Sequence, residues 1–148
     1  MSIDYRLTLS GDIPLDEVAA LAAPEAVETS TSRGERMLTA ALYDERGYVV
    51  DITSGSSGYY DAEDDGALWV WEPDSYVDVD FHMRKDSLMD LGVPNMLAAV
   101  ARVLNGRTED AALVLNGNWL LLSRVNGSIH KSKAGEGYDE RYGKVLPG

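Results

Sequence analysis

Asp78, Asp80 and His82 stand two residues apart in Asp78-Val79-Asp80-Phe81-His82, so on an extended strand their side chains share one face. Two carboxylates and an imidazole suit a hard or borderline ion such as Mn2+ or Zn2+, and a small metal-dependent enzyme is the chemistry they would serve. Same-face residues on one strand lie about 6.5 to 7 Å apart, so convergence on an ion needs a further ligand from a neighbouring strand. An alternating polar face, ordinary in antiparallel sheets, is the simpler expectation. The run Asp61-Ala62-Glu63-Asp64-Asp65-Gly66 has carboxylates at calcium-loop spacing, and Glu72 stands six residues after Gly66. Yet Trp69-Val70-Trp71 reads as strand where the exit helix of such a loop should begin, so a solvated acidic loop is expected. His130 sits beside Lys131 and Lys133 with no serine or carboxylate at a motif spacing, and is expected at the surface. Gly55-Ser56-Ser57-Gly58 is one residue short of a nucleophile elbow, and the chain carries no phosphate-loop or dinucleotide fingerprint. No catalytic residues and no cofactor are therefore expected.

What stands out is charge. From Asp51 to Asp80 the chain has nine acidic residues and no lysine or arginine, which accounts for most of its net charge of -12. The same segment holds Tyr59, Tyr60, Trp69, Trp71 and Tyr76. Aromatic anchors inside an acidic surround are what a binder of basic protein surfaces uses. The candidate partner-binding set is thus Tyr59, Tyr60, Asp61, Glu63, Asp64, Asp65, Trp69, Trp71, Glu72 and Asp74. The competing reading places the tryptophans in the core and leaves the acids to solubilise the protein.

The elements that must position these residues follow from periodicity. Ile3, Tyr5, Leu7 and Leu9 alternate with polar residues as a half-buried strand. Asp12 and Pro14 mark a helix start, Leu15, Val18, Ala19 and Ala22 share a face, and Pro24 ends the helix. Residues 25–35 read as an exposed connection or edge strand. Residues 37–43 and 48–53 form a hairpin about the polar turn Asp44-Glu45-Arg46-Gly47. Residues 54–66 have the composition of a mobile surface loop. Residues 68–72 and 76–85 read as strands divided by Pro73, with Val77, Val79, Phe81 and Met83 on the core face and the other face wet. Asp86 to Leu91 resembles a turn. A helix opens at Pro94, carries Leu97, Val100, Ala101 and Leu104 as its stripe, and stops at Asn105-Gly106. Asn116-Gly117 and Asn126-Gly127 are strong hairpin signals that divide a three-strand meander, and Tyr138 and Tyr142 sit one helical turn apart near the end. The sum is a single α+β domain over 1–148: a mostly antiparallel sheet, two main helices packed on one face, and a C-terminal three-strand meander.

Composition narrows the function. A chain of 148 residues with 45% hydrophobic and 26% charged residues can bury one core. Its acidity disfavours nucleic acid and anionic lipid as partners. The absence of cysteine excludes disulfides and thiolate chemistry. The apolar runs reach about five residues, against roughly twenty for a membrane span, and the N-terminus lacks a signal-peptide pattern.

Asp4-Tyr5-Arg6-Leu7, Trp71-Glu72-Pro73 with Tyr76-Val77-x-Val79-x-Phe81, Asn95-Met96-Leu97, and Asp110-Ala-Ala-Leu-Val-Leu-Asn-Gly117 with Leu120-Leu-Leu-x-Arg124-x-x-Gly127 together resemble the Sit-type immunity proteins, named for the swarming-inhibition toxins of myxobacteria. The resemblance runs from about Ile3 to Gly127 and its motifs are mainly structural. It implies a cytoplasmic, non-enzymatic protein that neutralises a contact-delivered toxin by binding it. Should that toxin be a nuclease, its basic cleft would suit an acidic binder. An acidic regulatory or scaffold domain and the metal enzyme remain the alternatives.

Overall fold

A computed structural model of the chain describes residues 2–148. Its strands and helices follow the hydrophobic periods closely. β1 (Asp4–Ser10) turns Tyr5, Leu7 and Leu9 inward, and α1 (Leu15–Ala22) buries Leu15, Val18, Ala19 and Ala22. Pro14 occupies the position before α1 and no side chain caps it, so the expected Asp12 cap is absent. β2 (Val27–Ser30) is the exposed edge strand. β3 (Arg36–Leu42) and β4 (Tyr48–Ser56) form the first hairpin, but their connection is a single helical turn, α2 (Tyr43–Arg46). Gly47 closes that turn at φ 85°, and a Cβ there would stand 2.8 Å from the backbone nitrogen of Gly92. Glycine is therefore required twice over, by conformation and by space.

Residues 54–66, expected as a mobile loop, are largely strand. β4 runs on to Ser56, then β5 (Tyr60–Asp64) and β6 (Ala67–Trp71) make a two-residue hairpin. Asp65 and Gly66 take φ of 52° and 90° at its tip, the left-handed pair that a type I′ turn needs. The Asp-Gly signal is present in the sequence, hidden in a run of acids. β7 (Ser75–Met83) follows, with Val77, Val79, Phe81 and Met83 buried as expected.

The expected turn at 86–91 is helical: a 3-10 turn over Lys85–Ser87 and a π turn over Leu88–Gly92 lead directly into α3 (Val93–Gly106). By length and composition the continuous run Lys85–Gly106 is apolar enough to cross a membrane. Its apolar stripe, Val93, Met96, Leu97, Val100, Val103 and Leu104, lies instead in the protein core. The helix also runs through Gly106 rather than stopping before it. β8 (Ala111–Leu115), β9 (Trp119–Val125), β10 (Ser128–Lys131) and α4 (Lys133–Arg141) complete the chain.

Among the described residues, ten strands form one sheet in the order β2-β3-β4-β7-β1-β8-β9-β5-β6, with β10 also on β9. All pairings are antiparallel except one parallel contact, Glu63 of β5 with Trp119 of β9. The fold is thus α+β with a mostly antiparallel sheet. Apolar residues of α1 and α3 join Leu7, Leu9, Ile52, Val79 and Phe81 in the main cluster. Arg102 ties the helices together, its Nε donating to Leu21 O at 2.8 Å, and Arg124 Nη1 donates to Leu104 O at 2.6 Å near the end of α3. A cation placed on those last carbonyls suits the negative end of a helix.

The opposite face of the sheet is not simply wet. The β5–β6 hairpin folds over it, and Ala62, Trp69 and Trp71 pack on Ala112, Val114 and Leu120 in a second, smaller cluster.

Candidate functional site

The candidate site is built where that hairpin roofs the sheet. Tyr60 opens β5, and its ring meets Tyr76 edge-on at 5.6 Å and Trp71 at 6.0 Å. Its hydroxyl reaches the carboxylate of Asp78 at 3.0 Å, while Thr8 Oγ1 donates to Asp78 Oδ1 at 2.5 Å. Asp78 is only 8% exposed. Burial pushes its carboxyl up to about 6 against the opposing pull of the Thr8 hydrogen bond. Burial also raises the Tyr60 hydroxyl, as does the neighbouring Asp78 charge, so the tyrosine stays a donor.

Asp80 and His82, on the same face of β7, are engaged separately. Arg6 Nε donates to Asp80 Oδ1 at 2.8 Å. His82 Nδ1 lies 3.0 Å from Asp4 and its Nε2 3.0 Å from Asp51, so the ring bridges β1 and β4. Burial lowers the imidazole pKa, but the two carboxylates outweigh it and leave it above its ordinary value. Only the imidazolium can donate from both nitrogens, and this geometry favours that form. The three residues of the alternative metal reading therefore do not converge. Each is already engaged by a partner of its own on β1, Thr8, Arg6 and Asp4 in turn, and no group of three histidine, aspartate or glutamate residues able to hold a metal occurs among the described residues.

The candidate partner-binding residues divide between the two faces of the hairpin. Trp69 and Trp71 are half-buried, turned toward the sheet and packed against each other at 6.0 Å between ring centroids. The apolar side chains that do face solvent are Leu68, 77% exposed, and Val70, 45% exposed. Sequence reasoning misses both, because Ala67-Leu68-Trp69-Val70-Trp71 is apolar in both phases and gives no sign of which phase faces out. Across the hairpin Glu63 opposes Leu68 and Asp61 opposes Val70, so acid and apolar residues alternate on the outer face. Tyr59, Glu72 and Asp74 are exposed beside it.

The acids at the tip do different work. Asp64 pairs with His130 Nε2 at 3.0 Å, and Asp65 accepts from the backbone N–H of Lys133 at 2.8 Å. They moor the hairpin to β10 and the start of α4, which removes both from any calcium-like arrangement. Between roof and sheet a cleft of about 690 Å3 opens, lined by Asp4, Asp61, Asp80, Tyr59 and Arg6 among others. Within it Asp80 is paired with Arg6 and Asp4 with His82.

A family model described as SitI3-like matches residues 3–141, nearly the whole chain. No curated protein and no solved structure matches it.

Proposed function

The chain belongs to the SitI3-like family, and from that premise we propose that it is an immunity protein that binds and neutralises a cognate bacterial toxin in the cytoplasm. The observation that carries the reading is the outer face of the β5–β6 hairpin, where Asp61 and Glu63 alternate with Leu68 and Val70. Exposed apolar side chains bury on association, and the acids around them select a basic partner and repel an acidic one. A toxin domain with a basic working surface, as a nuclease needs, fits that chemistry. Tyr59, Glu72 and Asp74 extend the surface, while Tyr60, Trp69 and Trp71 hold it in shape from beneath. Asp64 and Asp65 belong to the mooring of the hairpin. The protein acts by occupying the toxin stoichiometrically, with no turnover.

The test is co-expression with the protein encoded by the adjacent gene. The chain should protect cells from that protein and co-purify with it. Asp61→Asn with Glu63→Gln should slow association and flatten its salt dependence, because rim charges act mainly on encounter. Equal association rates and salt slopes for wild type and the double variant would remove these acids from the interface.

A further inference from the structure

The β6 strand ends the sheet, and its outer edge carries no partner strand among the described residues. Its backbone phase can be read from one hydrogen bond. Glu63 N–H donates to Asn118 O, in the turn just before β9, at 2.7 Å, so the backbone of Glu63 faces away from β6. Its cross-strand partner Leu68 then lies in a pair that exchanges no backbone hydrogen bonds, and pairs alternate along an antiparallel ladder. Leu68 and Val70 therefore direct their N–H and C=O groups outward, into solvent. No lysine, proline or bulge guards this edge, although such devices are the usual protection against strand addition.

We propose that this edge receives an extended, basic segment of the partner as an added β-strand. The proposal rests on the toxin-binding reading above and names its mode. Backbone hydrogen bonds to Leu68 and Val70 would supply register, in the manner of strand addition generally. On the outer face, lysine or arginine stems of the added strand lie over Leu68 and Val70. Their charged heads reach on toward Asp61 and Glu63, one strand further and about 10 Å from the added backbone. On the inner face, the alternate residues meet the rims of Trp69 and Trp71, so apolar side chains belong there. Charge decides against a second copy of this chain as the occupant. Edge-to-edge pairing of two copies brings Asp61, Glu63 and Glu72 of both together in a protein already at -12. At the other end of the sheet β2 has a free edge as well, but its Glu28 is paired with Arg36 at 2.5 Å and offers no comparable surplus.

The probe is a labelled seven-residue peptide of alternating lysine and valine, titrated against the full chain by fluorescence anisotropy. Its control is the same peptide N-methylated along the backbone, which keeps charge and side chains but loses the donors. We expect the control to bind at least ten-fold more weakly. Val70→Pro removes one outward N–H at a position where an edge strand tolerates proline, and should weaken the plain peptide at least ten-fold while Val70→Thr does not. Should Val70→Pro fail to fold, the N-methylated control still decides. Equal binding of both peptides, equal binding by wild type and folded Val70→Pro, or no binding of the plain peptide overturns the proposal. So does a wild-type dimer in sedimentation that Val70→Pro dissociates. Cell protection separates the two ideas: if Val70→Pro protects as well as wild type, the edge proposal fails and immunity stands. If wild type gives no protection, the immunity reading fails while the peptide still decides the edge.

Discussion

Asp78 is the residue at which the chemistry of this face concentrates. Buried under Tyr60 and bonded to Thr8, it keeps its proton up to about pH 6, against an ordinary aspartate value near 4. A carboxyl whose pKa is raised on folding stabilises the fold fully below about pH 4 and loses that contribution as pH climbs through 6. The difference amounts to about 3 kcal/mol, since a hundredfold change in proton affinity corresponds to that much free energy. Asp78→Asn keeps an acceptor for both hydroxyls and carries no charge. It should raise Tm at pH 7.5, with the gain vanishing near pH 4, as calorimetry at the two pH values would reveal. A lower Tm at pH 7.5 would mean that the buried charge is wanted. His82 acts in the adjoining window: its pKa is also raised, so its stabilisation holds below about 6.5 and fades above. His82→Gln should lower stability at pH 6 more than at pH 8, and so flatten the stability profile above pH 6.5. That these residues share a face is legible from their spacing in the sequence. Their pairing is not, since Thr8, Tyr60, Arg6, Asp4 and Asp51 come from β1, β4 and β5, far away in the chain.

At the scale of elements, β7 is the strand that everything else depends on, because β1 and β4 pair along its whole length. Phe81, near its C-terminal end, is fully buried and meets Tyr48 edge-on at 5.1 Å. Phe81→Ala should cost about 3 to 5 kcal/mol, read as a shift of the urea midpoint. The tight turns make a second prediction. Asn116 and Gly117 take φ of 52° and 69°, and Asn126 and Gly127 take 52° and 81°. A β-branched residue in that region is strained, so Gly117→Val should destabilise by on the order of 1 to 2 kcal/mol. An unchanged denaturation midpoint would contradict the turn. Elements whose signal is local are readable in advance: the alternation of β1 and β7, the stripe of α1, the Asn-Gly corners. The β5–β6 hairpin is not, because composition argues for a loop while the Asp65-Gly66 turn argues for strand pairing, and only contact with β9 and the outer face decides between them. The π turn ahead of α3 has no sequence signal that separates it from an ordinary connection.

For the whole molecule the central fact is an uneven one. The acids of residues 51–80 fall partly on the outward surface of the hairpin and partly beneath it, so one stretch of sequence serves both as a display and as its support. Asp61 and Glu63 are displayed, Asp64 and Asp65 moor, and Asp78 is sealed below. Replacing all four acids of 61–65 by amides should therefore lower Tm as well as weaken binding, whereas changing Asp61 and Glu63 alone should affect binding only. Thermal melts of the two variants separate these outcomes. The roof itself is joined to the rest of the sheet by one parallel pair at Glu63 and Trp119, by the small cluster around Ala62, by the Tyr60–Asp78 hydrogen bond and by the moorings of Asp64 on His130 and Asp65 on Lys133. Held by side-chain contacts and a single strand pair rather than by a full ladder, the flap should detach as a unit before the sheet unfolds. When it lifts, water reaches Asp78 and the carboxyl is free to ionise near its ordinary value, so each opening becomes easier as the surrounding pH climbs from about 4 to about 6 and changes little above that. Amide hydrogen exchange, corrected for its intrinsic pH dependence, should then show the protection of residues 60–71 falling between about pH 4 and 6 and levelling off above, while that of β1 and β7 holds. In Asp78→Asn the protection of the flap should be indifferent to pH.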